Sequence, residues 1–206
     1  MRKSIFCIIL AITRMGTAQM LDIVTVDSPQ RDVLKAKTEE IAHQDLADAW
    51  EIAGLLYLAL EPHFPAAGLA APQIGISKSV FIYTFDRDPN NLEVVINPHF
   101  TPIGDAKIVG WEGCLSVMLS NGIWKLAKIP RYESIQVEYL DLEGKKVKRT
   151  LTGFAAKVFQ HEYDHLQGIE NIDREDAVVL DFASKEEMLL FMAQVKKEDS
   201  IHYYKK

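Results

Sequence analysis

The stretch Gly153-Phe154-Ala155-Ala156-Lys157-Val158-Phe159-Gln160-His161-Glu162-Tyr163-Asp164-His165-Leu166-Gln167-Gly168 reads as a helix over residues 153 to 167. Gly168 stops it, as a glycine just past a helix does. Inside it, His161-Glu162-Tyr163-Asp164-His165 is an HExxH motif. Residues four apart share one helical face, so two imidazoles there can grip one ion from a single rigid element. Glu162 then stands near an ion-bound water, where a carboxylate can act as general base. The motif alone leaves two readings open: a metal site, or two surface histidines on a charged helix.

Outward from this stretch, residues 39 to 60 predict another helix. Leu46, Ala49, Trp50, Ala53, Leu56, Tyr57 and Leu60 form one apolar stripe, and Pro62 and Pro65 end it. Gly68-Leu69-Ala70-Ala71-Pro72-Gln73-Ile74-Gly75 is too short for a helix and too apolar for an exposed loop, and it carries one amide side chain. Short strands follow at Val80 to Tyr83 and Glu93 to Asn97. Ser134 to Leu151 reads as a hairpin, with Asp141, Glu143 and Gly144 at its turn. A last helix runs from about Lys185 to Lys196, opened by a Ser184/Glu187 capping box. This pattern argues an α+β fold. The expectation is one domain over residues 1–206, with short antiparallel β-sheets around the central HExxH helix, an N-terminal helix and a C-terminal helix. Residues 1–9 form an N-terminal extension, and residues 181–206 the C-terminal helix and tail.

The composition excludes several classes. Hydrophobic residues at 48% and charged residues at 25% of 206 are ordinary for a globular protein. A net charge of −6 argues against a nucleic-acid surface, DNA included. Lys145, Lys146, Lys148 and Arg149 read as one exposed arm of the hairpin. Two cysteines, Cys7 and Cys114, make no disulfide framework, which points to free thiols in a reducing compartment. Arg2 and Lys3, the apolar run Ile5 to Ile12 and Gly16-Thr17-Ala18 outline a signal peptide. Arg14 interrupts that outline and the run is short, so a first strand is the preferred reading. No window approaches the length of a membrane span.

A catalytic metal needs a third protein ligand and an open position. Glu112-Gly113-Cys114-Leu115-Ser116 offers a thiol in a Gly-containing turn, although a cysteine is most often a small buried hydrophobe. Glu186 and Glu187 are the alternative carboxylate ligands, but Glu187 already has a capping role.

Three segments together resemble the peptide deformylases. Gly68-Leu69-Ala70-Ala71-Pro72-Gln73 is similar to the family's GxGLAAPQ motif, Glu112 to Ser116 to its second, and Gln160 to Leu166 with Gly168 to its third. Arg14-Met15-Gly16 with Leu21 and Val24 resembles the opening strand. The resemblance covers roughly residues 10 to 180. It implies Cys114, His161 and His165 as ligands of one divalent ion, with water as the fourth. Fe2+ is the usual ion, and Ni2+, Co2+ or Zn2+ can occupy the site. Glu162 would take a proton from the water and pass it to the leaving amine. The Gln73 amide and the Leu115 backbone N–H would form the oxyanion hole; losing such a donor typically costs about 2.7–4 kcal/mol in the transition state. Ala67, Gly68, Glu112, Gly113, Phe154 and Val158 would contact the peptide, the first two through an extended backbone. The implied substrate is the N-formyl group of a nascent polypeptide, met by a cytoplasmic monomer near the ribosome exit tunnel and away from membranes. A different HExxH peptidase and a non-catalytic metal-binding relative are the competing readings.

The sequence departs from the family in two places. Ala66 replaces the first glycine of the first motif. After Ser116 the usual Ser-x-Pro-Gly gives way to Val117-Met118-Leu119-Ser120-Asn121-Gly122-Ile123-Trp124-Lys125, and Pro130-Arg131 arrives late. Residues 117–129 therefore predict a long apolar loop beside the substrate groove. Asp164 points away from the ligand face, either toward Arg131 or into solvent.

Overall fold

The computed structural model describes the backbone of residues 22–203 and the side chains of residues 22–196. The expected opening strand, with Ile5 to Ile12, Cys7 and Arg14-Met15-Gly16, lies outside the described residues. The chain runs α1 (Leu46–Leu60), β1 (Gly68–Ala70), β2 (Val80–Thr84), β3 (Leu92–Pro102), β4 (Lys107–Met118), β5 (Trp124–Tyr132), β6 (Ser134–Leu140), β7 (Lys146–Thr152), α2 (Gly153–Leu166), β8 (Val178–Phe182) and α3 (Lys185–Tyr203). One antiparallel sheet has the order β1-β2-β3-β6-β7 and a second the order β4-β5-β8. This is the expected α+β class. Among the described residues no helix is long and apolar enough to cross a membrane.

Strand β2 explains the arrangement. Alternate residues of a strand face opposite sides. Val80 and Ile82 pack into a core with Ala49, Ile52, Leu56 and Leu60 of α1. Phe81 and Tyr83 pack on the other side against Ala156, Phe159 and Leu166 of α2. Both faces of β2 are therefore covered, which is why Val80-Phe81-Ile82-Tyr83 is continuously apolar. The rings of Phe81 and Phe159 meet edge to face at 5.1 Å. On the opposite edge of α2, Gln160 clasps β5: its Oε1 accepts from Tyr132 N at 3.0 Å and its Nε2 donates to Tyr132 O at 2.9 Å. The HExxH helix is thus wedged between the two sheets.

Several local expectations change. The helix predicted from residue 39 begins at Leu46. Upstream of it, Glu39 bridges Lys78, and Asn97 clamps Ile41 through Ile41 N to Oδ1 at 2.9 Å and Nδ2 to Ile41 O at 2.8 Å. The backbone groups a helix would use are already taken. Cys114 lies in the strand β4 and not in a turn. Residues 117–129 form no long loop. β4 and β5 make a hairpin turning at Leu119–Ile123, where Gly122 has φ +85 and Gly122 N donates to Leu119 O at 3.0 Å. Its tip is pinned by Ser120 N donating to Asp27 at 2.9 Å.

The hairpin predicted over 134–151 stands as β6 and β7, with Asp141 Oδ1 accepting from Glu143 N and Lys145 N at its turn. Its basic arm is not wholly a solvated face, because half-buried Arg149 ion-pairs with Glu93. The C-terminal helix is longer than expected and reaches Tyr203. Half of the predicted capping box forms: Glu187 N donates to Ser184 Oγ at 3.2 Å, while Glu187 Oε2 accepts from Ala183 N at 2.8 Å, one residue before the predicted partner.

Candidate metal centre

The centre forms where α2 crosses a break in the β4–β5 ladder. Gly113 pairs with Leu126 and Met118 with Trp124, so four residues, 114 to 117, stand opposite Lys125 alone. Such a bulge bends the strand and re-aims its side chains. Here it turns Cys114 toward His161 and His165. The three ligand atoms lie within 4.8 Å of one another, and Cys114 Sγ is 3.3 Å from His165 Nε2. Glu186 and Glu187 are not part of this cluster.

Each imidazole is held from behind. His161 Nδ1 is 2.9 Å from Glu112 Oε2, and His165 Nδ1 is 3.1 Å from Glu170 Oε1. A carboxylate at Nδ1 fixes the proton there and leaves Nε2 free to bind an ion. Glu112 borders the cavity, but its carboxylate is committed: Arg131 grips it through Nε at 3.0 Å and Nη2 at 2.9 Å. Arg131 also reaches Asp164 at 2.5 Å, and Arg174 meets the same Asp164 oxygen at 3.0 Å. The expected Asp164–Arg131 bridge is therefore present. It extends a buried charge relay from Arg174 to the ring of His161.

The electrostatics favour a cation. Burial alone would depress the His161 pKa, but its contacts with Cys114 and Glu112 raise it to about 10. Burial likewise opposes a charged His165, yet Glu170 and Cys114 push its pKa well up. Burial would raise the Cys114 thiol, and the two histidines bring it down instead. The thiolate and two carboxylates thus demand positive charge between them. A Cys/His/His donor set with tetrahedral scope fits Zn2+, Fe2+ and similar ions, so the residues present fit one divalent ion.

Around the trio, Gln73 is buried. Its Oε1 accepts from Ala70 N at 2.9 Å, while Nε2 donates to Ser116 Oγ at 3.1 Å and lies 3.4 Å from Cys114 Sγ. That places an amide donor beside the ligand sulfur. Glu162 is 3% exposed, and burial pushes its pKa up. Its Oε2 is buried with no hydrogen-bond partner. Gly68 makes room for it, because a Cβ at that position would overlap the Glu162 carboxylate.

A cavity of about 280 Å³ opens from this centre. Ala67, Gly68, Gln73, Glu112, Gly113, Cys114, Leu115, Phe154, Val158, His161 and Glu162, all singled out in the sequence, line it; His165 lies behind. Met188 and Met192 of α3, Arg87 and Lys157, none of them singled out for the site in the sequence, line it as well. It also missed Glu170, Arg174 and Asn171, whose side-chain Nδ2 donates to Glu112 O at 3.2 Å. Only Gly168 hinted at Glu170. Its φ of +74 turns the chain back on the helix it ends.

Arg131→Met should destabilise the fold by about 3–5 kcal/mol, because it removes the buried guanidinium that Glu112 and Asp164 share. Urea unfolding measures this, and a loss below about 1 kcal/mol would show that the relay is not needed for stability.

Comparison with known proteins agrees with this geometry. A family model described as polypeptide deformylase matches residues 20–179. Peptide deformylase 2 of Ralstonia nicotianae is 44% identical over 110 residues, covering 50% of this chain and 59% of that relative. A peptide deformylase of Thermotoga maritima is 41% identical over 112 residues, covering 54% of this chain and 63% of that relative. The chain thus spans about six tenths of the length of these curated relatives. The Met-Ala-Ser-bound class I type b peptide deformylase of Acinetobacter baumannii matches with a TM-score of 0.66 at 30% identity, covering 76% of this chain and 100% of that one. The crystal structure of the Thermotoga maritima enzyme matches with a TM-score of 0.64 at 33% identity, covering 76% and 98%.

Proposed function

Because the chain belongs to the polypeptide deformylase family, we propose that it hydrolyses the N-formyl group from formylmethionyl ends of nascent polypeptides, releasing formate. The observation that carries this reading is the convergence of three parts on one cavity wall: the Cys114/His161/His165 trio, the unpartnered Glu162 carboxylate and the Gln73 amide. The Met-Ala-Ser peptide bound by the Acinetobacter relative has the form of a deformylated product, which supports a methionyl peptide as the substrate class here.

Cys114, His161 and His165 would hold the ion, Fe2+ by preference, with Ni2+, Co2+ or Zn2+ as substitutes. Such an ion supplies Lewis acidity, lowering the pKa of water and polarising the formyl oxygen. The chain's own residues do the rest. Glu112 and Glu170 orient the two imidazoles. Glu162 accepts a proton from water and returns it to the amine that leaves. Its burial raises its pKa, which suits a group that must both take and give a proton near neutral pH. The Gln73 Nε2–H and the Leu115 backbone N–H donate to the oxygen that gains charge. Ala67, Gly68 and Gly113 offer backbone to an extended peptide, while Phe154 and Val158 bound its side chains. On this reading the chain works as a cytoplasmic monomer near the ribosome exit tunnel, where formylated chains emerge.

The test is release of formate from formyl-Met-Ala-Ser with the Met-Ala-Ser backbone left whole. Cleavage of an internal peptide bond would instead assign a peptidase. A sharper check uses the glycine against Glu162. Gly68→Ala should lower kcat by about 100-fold, since a displacement near 1 Å at a reacting group can cost that much. Steady-state kinetics read it, and a kcat within about 2-fold of the parent would mean that Glu162 needs no such room.

A further inference from the structure

Beyond the centre, the cavity wall follows one face of α2. His161, Lys157 and Phe154 succeed one another at spacings of four and three residues, so Lys157 stands roughly 6 Å and Phe154 roughly 10 Å along the helix from the ligand His161. Lys157 Nζ donates to Trp111 O at 2.8 Å, and Gly110 leaves room for it, since a Cβ there would sit 3.0 Å from Nζ. Arg87 lies over the Phe154 ring, 4.8 Å from its centroid, and its Nη1 donates to Pro65 O at 2.7 Å. Arg87 has φ +63, an unusual backbone for a non-glycine residue. Both cations line the cavity, and among the described residues neither has a carboxylate within ion-pair distance.

The other charges on this wall are spent. Lys125 is paired with Asp181 at 2.7 and 2.8 Å. Glu112 is held by Arg131 and His161, and Glu162 sits buried against Gly68. The outer half of the cavity therefore holds two cations with donors to spare and no anion of its own. Burial pushes the Lys157 ammonium pKa down, and repulsion from Arg131 and Arg87 adds to it against the pull of the committed Glu112.

Resting on the proposed deformylase reading, we propose that Arg87 and Lys157 form a subsite for a carboxylate carried by the formyl peptide just beyond its formylated residue. An extended peptide advances about 3.3 Å per residue. A carboxylate roughly 6–10 Å from the centre thus belongs to the second or third residue. It has two possible sources: an Asp or Glu side chain, or the C-terminal carboxylate of a short peptide.

Binding of the deformylated products tests this without turnover. The ion-loaded protein is titrated with Met-Asp-Ala-amide and Met-Asn-Ala-amide, followed by tryptophan fluorescence, since Trp111 and Trp124 line the cavity. Met-Ala-Ser as free acid and as amide forms the second arm. The expected result is about 10-fold tighter binding of the acid in at least one arm at low salt, and the arm that responds names the source. Lys157→Met and Arg87→Gln should each move that ratio toward one, and kcat/KM on the matching formyl peptides should follow it. A ratio near one in the parent protein, or a ratio that both variants leave intact, overturns the proposal. If the acid preference stands but no formyl peptide releases formate, the catalytic reading fails and the subsite survives.

Discussion

Glu162→Gln should lower kcat on a formyl-Met peptide by about 1,000-fold while the protein keeps its ion, within the 10²–10⁴-fold range usual for general acid–base groups. The substitution is close to isosteric, so it respects the space left by Gly68. It removes the carboxylate and leaves Cys114, His161, His165 and their Glu112 and Glu170 supports untouched. The buried Glu162 Oε2 has no hydrogen-bond partner, so no protein donor competes for that atom. Metal analysis beside steady-state kinetics separates the two roles. Unchanged kcat would remove Glu162 from proton transfer. Loss of the ion would instead mark it as part of the binding site.

How much of this site the sequence disclosed depended on the range of each interaction. His161 and His165 were readable because helical spacing alone puts them on one face. Gln73 stood out as a lone amide in an apolar run, and the structure shows it buried beside Cys114. Glu170 and Arg174 were invisible, because their partners are reached only after Gly168 turns the chain and β4 packs on α2. Cys114 was placed in a turn because Gly113 suggested one. A bulge within a strand meets the same need for a glycine and depends on pairing with a distant segment. Residues 117–129 were the plainest miss. Asn121-Gly122 is a strong hairpin signal, and it forms the turn that joins β4 to β5. Lys157 was equally readable as a residue four positions before His161, yet its lack of a counter-ion is a tertiary fact.

Cys114→Ala should weaken the site's affinity for a divalent ion by at least about 100-fold, beyond the 10–100-fold typical of losing a group that only supports a ligand. Cys114 is the only anionic member of the trio, and two neutral imidazoles from one helical turn leave the ion without the strand's contribution. The lost thiolate also removes a charge that holds the His161 and His165 pKa values up. The same measurement decides between the two readings of this cysteine. As a small buried hydrophobe it could become alanine with a modest loss of stability, no change in bound metal and little change in turnover. As a ligand it leaves the unfolding midpoint of the metal-free protein nearly unmoved while bound ion and formate release both collapse. Glu170→Gln supplies the intermediate case: the ligand set stays whole, the His165 ring loses its charged support, and affinity should fall by about 10-fold. Titration of the metal-free protein with Zn2+ or Co2+ should therefore rank the parent above Glu170→Gln and Glu170→Gln above Cys114→Ala. A reversed order would mean that the helix alone, and not its junction with β4, holds the ion.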